Sequence, residues 1–369
     1  MVRLCPGDRR GSDRPDTIPH VPALAMTQDR TTKTLLLFCA TILILGGLYL
    51  ARPIIAPVAF SLFVIAVVWP IQQALQTRIP KLLALAVTIV GVLVVISVLG
   101  YLLIWGFSKV VQWLTINAGR LQALYVQAAD WLEGHGVSVA DMVTQSYNNT
   151  NWLLPAVKGL GGRSYRLISF VVIAFAFTVL GLLEVDVARR NIERLENATA
   201  RQMLLVAGAD IAAKFQKYML VRSVMSILTG IVVWSFALLA GIELATAWGV
   251  IAFVLNYIPF IGPLIATVFP TLFALVQFES WRLAIAVFAC LNLIQFLIGS
   301  YLEPRMAGAA LSISPFIVLF AVFFWSFLWG VSGAFIGVPI VIALLAVCDE
   351  HESTRWIALL LSGREGERK

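Results

Sequence analysis

Two long apolar stretches in the second half of the chain are each interrupted by glycine and proline. The first covers residues 244–277 and the second covers 316–347, and their breaks contain Asn256, Pro259, Gly262 and Pro263, and Gly330, Gly333, Gly337 and Pro339. A helix needs about 20 residues to cross a bilayer, so each stretch has about the length of two half-spans. Interrupted helices leave unpaired N–H and C=O groups, which attract ions and polar groups. We therefore predict two hairpin tips that line the path of a small polar solute, with simple packing kinks as the alternative.

Ionisable side chains beside these stretches are candidates for ion or proton coupling. Glu303 and Arg305 flank Pro304 next to an apolar span, and ionisable groups at membrane depth are costly and often functional. Glu303 is the leading candidate for a proton or cation step, and Arg305 is a second candidate. The alternative is that both belong to an interfacial pair that reaches water.

Asn292 and Gln295 lie three residues apart, so they share one face of a predicted membrane helix. They are further candidates for coupling. Alternatively, they bond to a neighbouring helix, as polar side chains in membranes often do. We interpret the charged residues at predicted span ends as topology anchors, and these are Glu184, Arg222, Glu243, Glu279 and Arg282.

Several enzyme and metal-binding motifs are missing from the sequence. It has no Gly-x-x-x-x-Gly-Lys phosphate loop and no His-Glu-x-x-His zinc pair. Its three histidines lie outside the apolar runs, and its four cysteines show no paired spacing. We therefore predict no catalytic residue, no metal site and no cofactor, and an enzyme is the least favoured class. For a transporter, H⁺ or Na⁺ is the candidate coupling ion.

The composition places the chain in a membrane. Of its 369 residues, 60% are hydrophobic and 13% are charged, whereas soluble proteins are nearer half apolar and a quarter charged. We predict an all-α polytopic membrane protein with about eight membrane segments, of which two are broken. Re-entrant hairpins are the favoured form of the broken segments, and single crossings are the alternative. The net charge of +7 is explained by the excess of lysine and arginine in cytoplasmic loops, so no nucleic-acid partner is predicted.

The chain divides into seven predicted regions. They are a disordered N-terminal arm (1–33), three transmembrane helices (34–106), an extracytoplasmic amphipathic segment (107–166), a transmembrane helix (167–183), a cytoplasmic amphipathic segment (184–219), a transport core (220–348) and a tail (349–369). Lysine and arginine concentrate in the arm, in 184–222 and in the tail, which predicts cytoplasmic N- and C-termini. Met1 and Met26 are both possible translation starts.

Three short motifs have the order and spacing of a known family. They are Ile258-Pro259-Phe260-Ile261-Gly262-Pro263, the run from Glu303 to Gly308 (Glu-Pro-x-x-x-Gly), and the run from Gly330 to Pro339 (Gly-x-x-Gly-x-x-x-x-x-Pro). Together they resemble the autoinducer-2 exporter (AI-2E) family of bacterial permeases, and the agreement extends over about residues 34–348. One departure is Ser314, since the family commonly has histidine before this proline, so a role of that histidine in proton handling would be lost here.

The resemblance implies an eight-segment transporter of the bacterial inner membrane, in contact with membrane lipids. Family members are associated with export of autoinducer-2, and others with Na⁺ or Li⁺/H⁺ antiport, so the solute stays open. The resemblance also implies a homo-oligomer, with a pentamer as one candidate, whose hairpins move as an elevator-like unit.

The favoured function is therefore a secondary transporter that moves a small polar solute, with a quorum-sensing signal such as autoinducer-2 as one candidate. A Na⁺(Li⁺)/H⁺ antiporter is the first alternative. The second alternative is a membrane scaffold or regulatory protein without transport, whose amphipathic segments bind partners.

Overall fold

The computed structural model describes residues 23–135, 153–308 and 313–350, together with Thr354, Trp356 and Leu361. Within these residues the elements are helices, and eight of the helices are long and apolar enough to cross a membrane. The predicted all-α polytopic membrane fold is confirmed. The described residues leave out 1–22 of the predicted arm and 136–152 of the predicted extracytoplasmic segment.

The described residues of the first half of the chain form six helices. They are α1 (Ala23–Leu50), α2 (Arg52–Gln76), α3 (Lys81–Ile116), α4 (Ala118–Gly134), α5 (Leu153–Glu193) and α6 (Ala198–Leu239). The contacts divide the chain into a first unit of residues 1–50 and a second unit of residues 51–369. Residues 23–33, predicted as part of a disordered arm, belong to α1.

Where the structure describes it, the second half contains six further helices and one π-helical turn. In order they are α7 (Ala245–Leu255), α8 (Ile261–Phe278), α9 (Trp281–Phe296), the π-turn (Leu297–Leu302), α10 (Glu303–Ala307), α11 (Pro315–Trp329) and α12 (Val331–Glu350).

The amphipathic segment predicted at 184–219 is not a separate element. Its first part is the end of α5, and its last part is the beginning of α6. Asn197 caps α6 because its side-chain oxygen accepts a hydrogen bond from the Ala200 N–H at 3.0 Å. As a result, α6 is 42 residues long, about 63 Å at 1.5 Å per residue.

The first broken stretch folds back on itself as α7 and α8, which we name hairpin 1. The rings of Trp248 and Phe273 lie 5.3 Å apart across it. At its open end, the Gln277 side chain accepts a hydrogen bond from the Glu243 N–H and donates one to the Gly241 carbonyl, both at 2.8 Å. These contacts join the beginning of α7 to the end of α8, so the two helices run antiparallel.

The second broken stretch folds back in the same way as α11 and α12, which we name hairpin 2. Its two helices are very close: a Cβ atom on Gly333 would lie 1.9 Å from the Trp325 carbonyl oxygen, and one on Gly337 would lie 2.9 Å from that of Ala321. Only glycine fits at such distances. Both breaks in the apolar pattern therefore correspond to helical hairpins.

Helix α6 is the central element of the second unit, since it packs against hairpin 1 through α7 and against hairpin 2 through α12. Its crossing with α7 is made by two glycines. A Cβ atom on Gly230 would lie 3.0 Å from the Gly249 carbonyl oxygen, and one on Gly249 would lie 2.9 Å from that of Gly230. Small residues allow membrane helices to approach this closely, which maximises van der Waals contact.

Candidate functional site

A polar face of α6 forms one wall of the candidate site. Tyr218, Arg222 and Ser226 follow each other at intervals of four residues, so they lie on one side of the helix. All three side chains are buried. Buried polar groups are expensive in a membrane unless they find partners, and the partners of this face come from hairpin 1 and from α10.

The tip of hairpin 1, residues 256–260, is hydrogen-bonded to this face. Asn256 donates from its side-chain amide to the Ser226 hydroxyl at 3.3 Å, and the hydroxyls of Tyr257 and Ser223 lie 3.1 Å apart. Asn256 is only 6% exposed. The predicted site residue Asn256 therefore points towards α6 rather than towards lipid.

The tip has a strained backbone. Phe260 has a φ of +60° and a ψ of −48°, and the Ile261 N–H donates to the Pro259 carbonyl at 2.6 Å, which together form the rare γ-turn with positive φ. Gly262 follows directly, where a Cβ atom would lie 2.0 Å from the Leu255 carbonyl oxygen. The predicted residues Pro259, Gly262 and Pro263 therefore build the sharp return of the chain, and Pro259 is buried at its centre.

An ion pair joins α6 to α10. Arg222 donates from Nη1 to a carboxylate oxygen of Glu303 at 3.0 Å, and the exposed fractions of the two side chains are 8% and 25%. Glu303 follows directly after the π-turn, and π-helical turns inside helices are frequent at functional sites. The more exposed carboxylate therefore pairs with an arginine that is almost completely buried.

Two hydrogen-bonding atoms beside this ion pair have no partner in the part of the chain that the structure describes. They are the Arg222 Nε and the Tyr218 hydroxyl, and both are buried. The guanidinium carbon of Arg222 lies 5.9 Å from the centre of the Tyr218 ring. Buried polar atoms without a partner are rare in native proteins and suggest an additional group, such as water, an ion or a ligand.

The other predicted coupling residues lie elsewhere. The guanidinium carbon of Arg305 lies 4.0 Å from the centre of the Tyr301 ring, on an exposed surface. Asn292 is exposed and donates to the Phe288 carbonyl of its own helix at 2.8 Å. Gln295 is half-buried, and its amide nitrogen has no partner among the described residues. Of the four candidates, the structure brings Glu303 to the polar face of α6.

In hairpin 2, the predicted path residues have structural positions. Gly330 ends α11 with a φ of +69° and is exposed at the tip. Gly333 and Gly337 face α11 within the hairpin, and Pro339 is completely buried in α12. Within the described residues, the two hairpins do not pack extensively on each other, since hairpin 1 lies on α3 and α6 and hairpin 2 on α2 and α6.

Sequence reasoning missed most of the α6 side of the site. The prediction of a topology anchor at Arg222 is wrong, because the structure places this residue in the protein interior with a carboxylate partner. Tyr218, Ser223 and Ser226 were not singled out. Their signal in the sequence is the four-residue spacing of Tyr218, Arg222 and Ser226 inside one apolar helix.

Comparison with known proteins places the whole arrangement in a family. The model of the AI-2E family transporters matches residues 38–353, a range that includes both hairpins and the Arg222–Glu303 pair. The chain belongs to the AI-2E transporter family. The resemblance found in the three short motifs is thereby confirmed.

Individual relatives of this AI-2E family chain are distant but cover most of its length. The AI-2 transport protein TqsA of Escherichia coli (strain K12) is 26% identical over 335 residues, which cover 89% of this chain and 95% of TqsA. A proposed transport protein of Borreliella burgdorferi is 27% identical over 332 residues, covering 89% of this chain and 90% of that protein. Together with the eight apolar helices, the family identifies a multi-pass membrane protein of the transporter class.

Proposed function

We propose that this protein is a secondary transporter that moves a small polar solute across the bacterial inner membrane. The observation that supports this most strongly is the buried Arg222, which pairs with the partly exposed Glu303 at 3.0 Å beside the docked tip of hairpin 1. Paired ionisable groups inside a membrane protein often mark the pathway of an ion or substrate. Here they lie where an interrupted helix meets a continuous one, an arrangement typical of transporter sites.

The contacts at the hairpin-1 tip are suited to opening and closing. Asn256 and Tyr257 hold the tip to α6 through hydroxyl groups, and hydrogen bonds between membrane helices contribute only about 0.6 kcal/mol on average. Such contacts break and re-form easily. In the proposed mechanism, the tip leaves α6 when the solute passes, and Glu303 takes part in the proton or cation step.

The solute and the coupling ion belong to the proposal. One relative is named an AI-2 transport protein, so autoinducer-2 is the first solute to test. The proposed coupling ion is H⁺ or Na⁺, and no cofactor is proposed. We also propose a homo-oligomer, with a pentamer as the candidate assembly, and cytoplasmic N- and C-termini.

Transport by the purified protein in liposomes tests the function. We expect autoinducer-2 uptake into these vesicles to exceed that into protein-free vesicles, and we expect Glu303→Gln to abolish it while the oligomer still assembles. The matched control is Lys214→Gln, which removes a charge from the same α6 helix outside the site, where Lys214 pairs with Asp210 at 2.7 Å. Unchanged flux in Glu303→Gln would remove this carboxylate from the mechanism.

Two further outcomes separate the alternatives. Acidified vesicles that lose their pH gradient only when Na⁺ or Li⁺ is added would favour the antiporter. If no solute or ion moved and hairpin-tip variants had no effect, the scaffold function would replace the transport proposal.

A further inference from the structure

The arginine of the ion pair has unused binding capacity. A guanidinium group carries five N–H donors, which match the oxygen atoms of a carboxylate or phosphate in pairs. Glu303 bonds to Nη1, whereas Nε is buried without a partner among the described residues. The Tyr218 hydroxyl, one helical turn earlier, is buried as well. It makes no hydrogen bond of good geometry within the described part of the chain, although it interacts electrostatically with Arg222. One cationic donor and one neutral donor thus lie close together on the same face of α6.

Glu303 covers this arginine from the more open side. Its side chain is 25% exposed, whereas that of Arg222 is 8% exposed, so a solute that reaches the carboxylate still has to displace it in order to reach the guanidinium. Glu303 is the first residue of the short helix α10, directly after the π-turn. Among the described residues, its carboxylate forms an ion pair with Arg222 of α6. An anion that approaches from this side therefore competes with a carboxylate that is already part of the protein.

We propose that Arg222 and Tyr218 form a binding site for a small water-soluble oxyanion, such as a carboxylate or phosphate group, and that Glu303 occupies this site in its absence. The inference rests on the proposed function in one respect, because the anion would be a charged group of the transported solute. Binding itself can be measured without transport. In this exchange, one carboxylate leaves Arg222 and one anionic group replaces it, so the arginine keeps an anionic partner throughout.

The competition makes a quantitative prediction. A ligand that must displace an internal group binds only to molecules in which the site is free. Its apparent affinity is therefore its intrinsic affinity multiplied by the fraction of such molecules. Hydrogen bonds to charged groups have net strengths that correspond to about ten- to hundredfold in affinity. Glu303→Gln keeps the shape of the side chain and removes its charge, so we expect an increase in oxyanion affinity of about tenfold or more.

Isothermal titration of the detergent-purified protein with sodium lactate and sodium phosphate tests this site, with glycerol as the uncharged probe and sodium chloride for ionic strength. We expect Glu303→Gln to bind a lactate or phosphate probe at least tenfold more tightly than the unmodified protein. Tyr218→Phe is expected to bind the probe more weakly, and Lys214→Gln to match the unmodified protein. Glycerol is expected to show no gain in any variant.

Arg222→Gln and the double variant Arg222→Gln/Glu303→Gln are both expected to lose oxyanion binding. The double variant removes both charges, so it leaves no unpaired buried charge and keeps the test independent of misfolding. Equal oxyanion affinity in Glu303→Gln and the unmodified protein would overturn the inference, as would binding that survives in the double variant.

In nanodiscs, loss of probe binding on addition of phosphatidylglycerol would assign the site to a lipid headgroup and would also overturn it. Solute transport without oxyanion binding would leave the proposed function intact and reject this site alone.

Discussion

The crossing of α6 and α7 determines where the hairpin-1 tip sits, and Gly249 is the residue that controls it. A Cβ atom at Gly249 would lie 2.6 Å from the Trp234 Cβ, whereas ordinary contacts are 3.4–4 Å. In Gly249→Ala the two helices must therefore separate locally from 2.6 Å to at least 3.4 Å, a shift of about 0.8 Å. The obstructing atoms belong to the first carbon of a side chain and to the backbone, so they cannot rotate away.

This shift is large enough to affect the site. The bond from Asn256 to Ser226 already measures 3.3 Å, and a separation of more than about 3.6 Å is no longer a hydrogen bond. Overpacking typically costs about 1–3 kcal/mol, and the lost bond adds about 0.6 kcal/mol. The better helix propensity of alanine returns at most about 1 kcal/mol. We expect Gly249→Ala to lower the free energy of unfolding by about 0.6–2.6 kcal/mol when the full gain in propensity applies, and to slow transport.

The matched control is Gly100→Ala in α3, where a new Cβ atom would meet nothing within 4 Å. Unfolding in an SDS titration, followed by circular dichroism, measures stability, and solute flux in proteoliposomes measures function. We expect Gly100→Ala to keep the flux of the unmodified protein and to be as stable or more stable, by at most about 1 kcal/mol from helix propensity. If Gly249→Ala behaved like Gly100→Ala in both, the close crossing would not position the tip, and the reasoning would be wrong.

Three further substitutions test other features by the same SDS titration. Phe260→Gly should leave stability within about 1 kcal/mol of the unmodified protein although it removes a ring that is 45% exposed, because glycine adopts a positive φ without the steric cost that Phe260 has at +60°; a larger loss would contradict the strained turn. Gln277→Leu should cost about 1–2 kcal/mol, because it removes two hydrogen bonds at the open end of hairpin 1, whereas Asn292→Leu should be nearly neutral, and equal effects would refute this role. Lys81→Gln should cost about 0.2–1 kcal/mol and less at high salt, because its contact to Asp186 involves a lysine that is 60% exposed; an effect independent of salt would argue against an ion pair.

The hairpins could be predicted because they leave a local record in the sequence. An apolar stretch too long for one span and interrupted by Gly262 or Gly330 requires a turn at membrane depth, whatever the surrounding fold. The spacing of Gly333 and Gly337 fits the same logic, since close helix packing requires small residues at one-turn intervals. The structure adds that these glycines serve the packing inside hairpin 2.

The ion pair could not be predicted because its members lie 81 positions apart in the chain. Arg222 lies near the start of the span predicted from hydropathy, and a cation at the end of a span is most simply explained by the membrane interface. The helix actually begins at Ala198, well before the apolar part, so Arg222 lies deep inside α6. A hydropathy plot shows where a helix becomes apolar but not at which residue the helix begins. The burial of a charged residue depends on how far it lies from that first residue.

Backbone strain could not be predicted from the sequence either, and it is concentrated in hairpin 1. Among the described residues, the non-glycine residues with positive φ are Leu244, Phe260 and Glu279, which lie at the beginning of α7, the beginning of α8 and the end of α8. Such conformations persist only where the surrounding structure holds them, and they concentrate at functional sites. Leucine, phenylalanine and glutamate have no particular preference for this conformation, so no sequence pattern could reveal it. Gln277 at the open end and Asn256 at the tip make hydrogen bonds near these residues, so we infer that the stability of hairpin 1 is connected to its docking on α6.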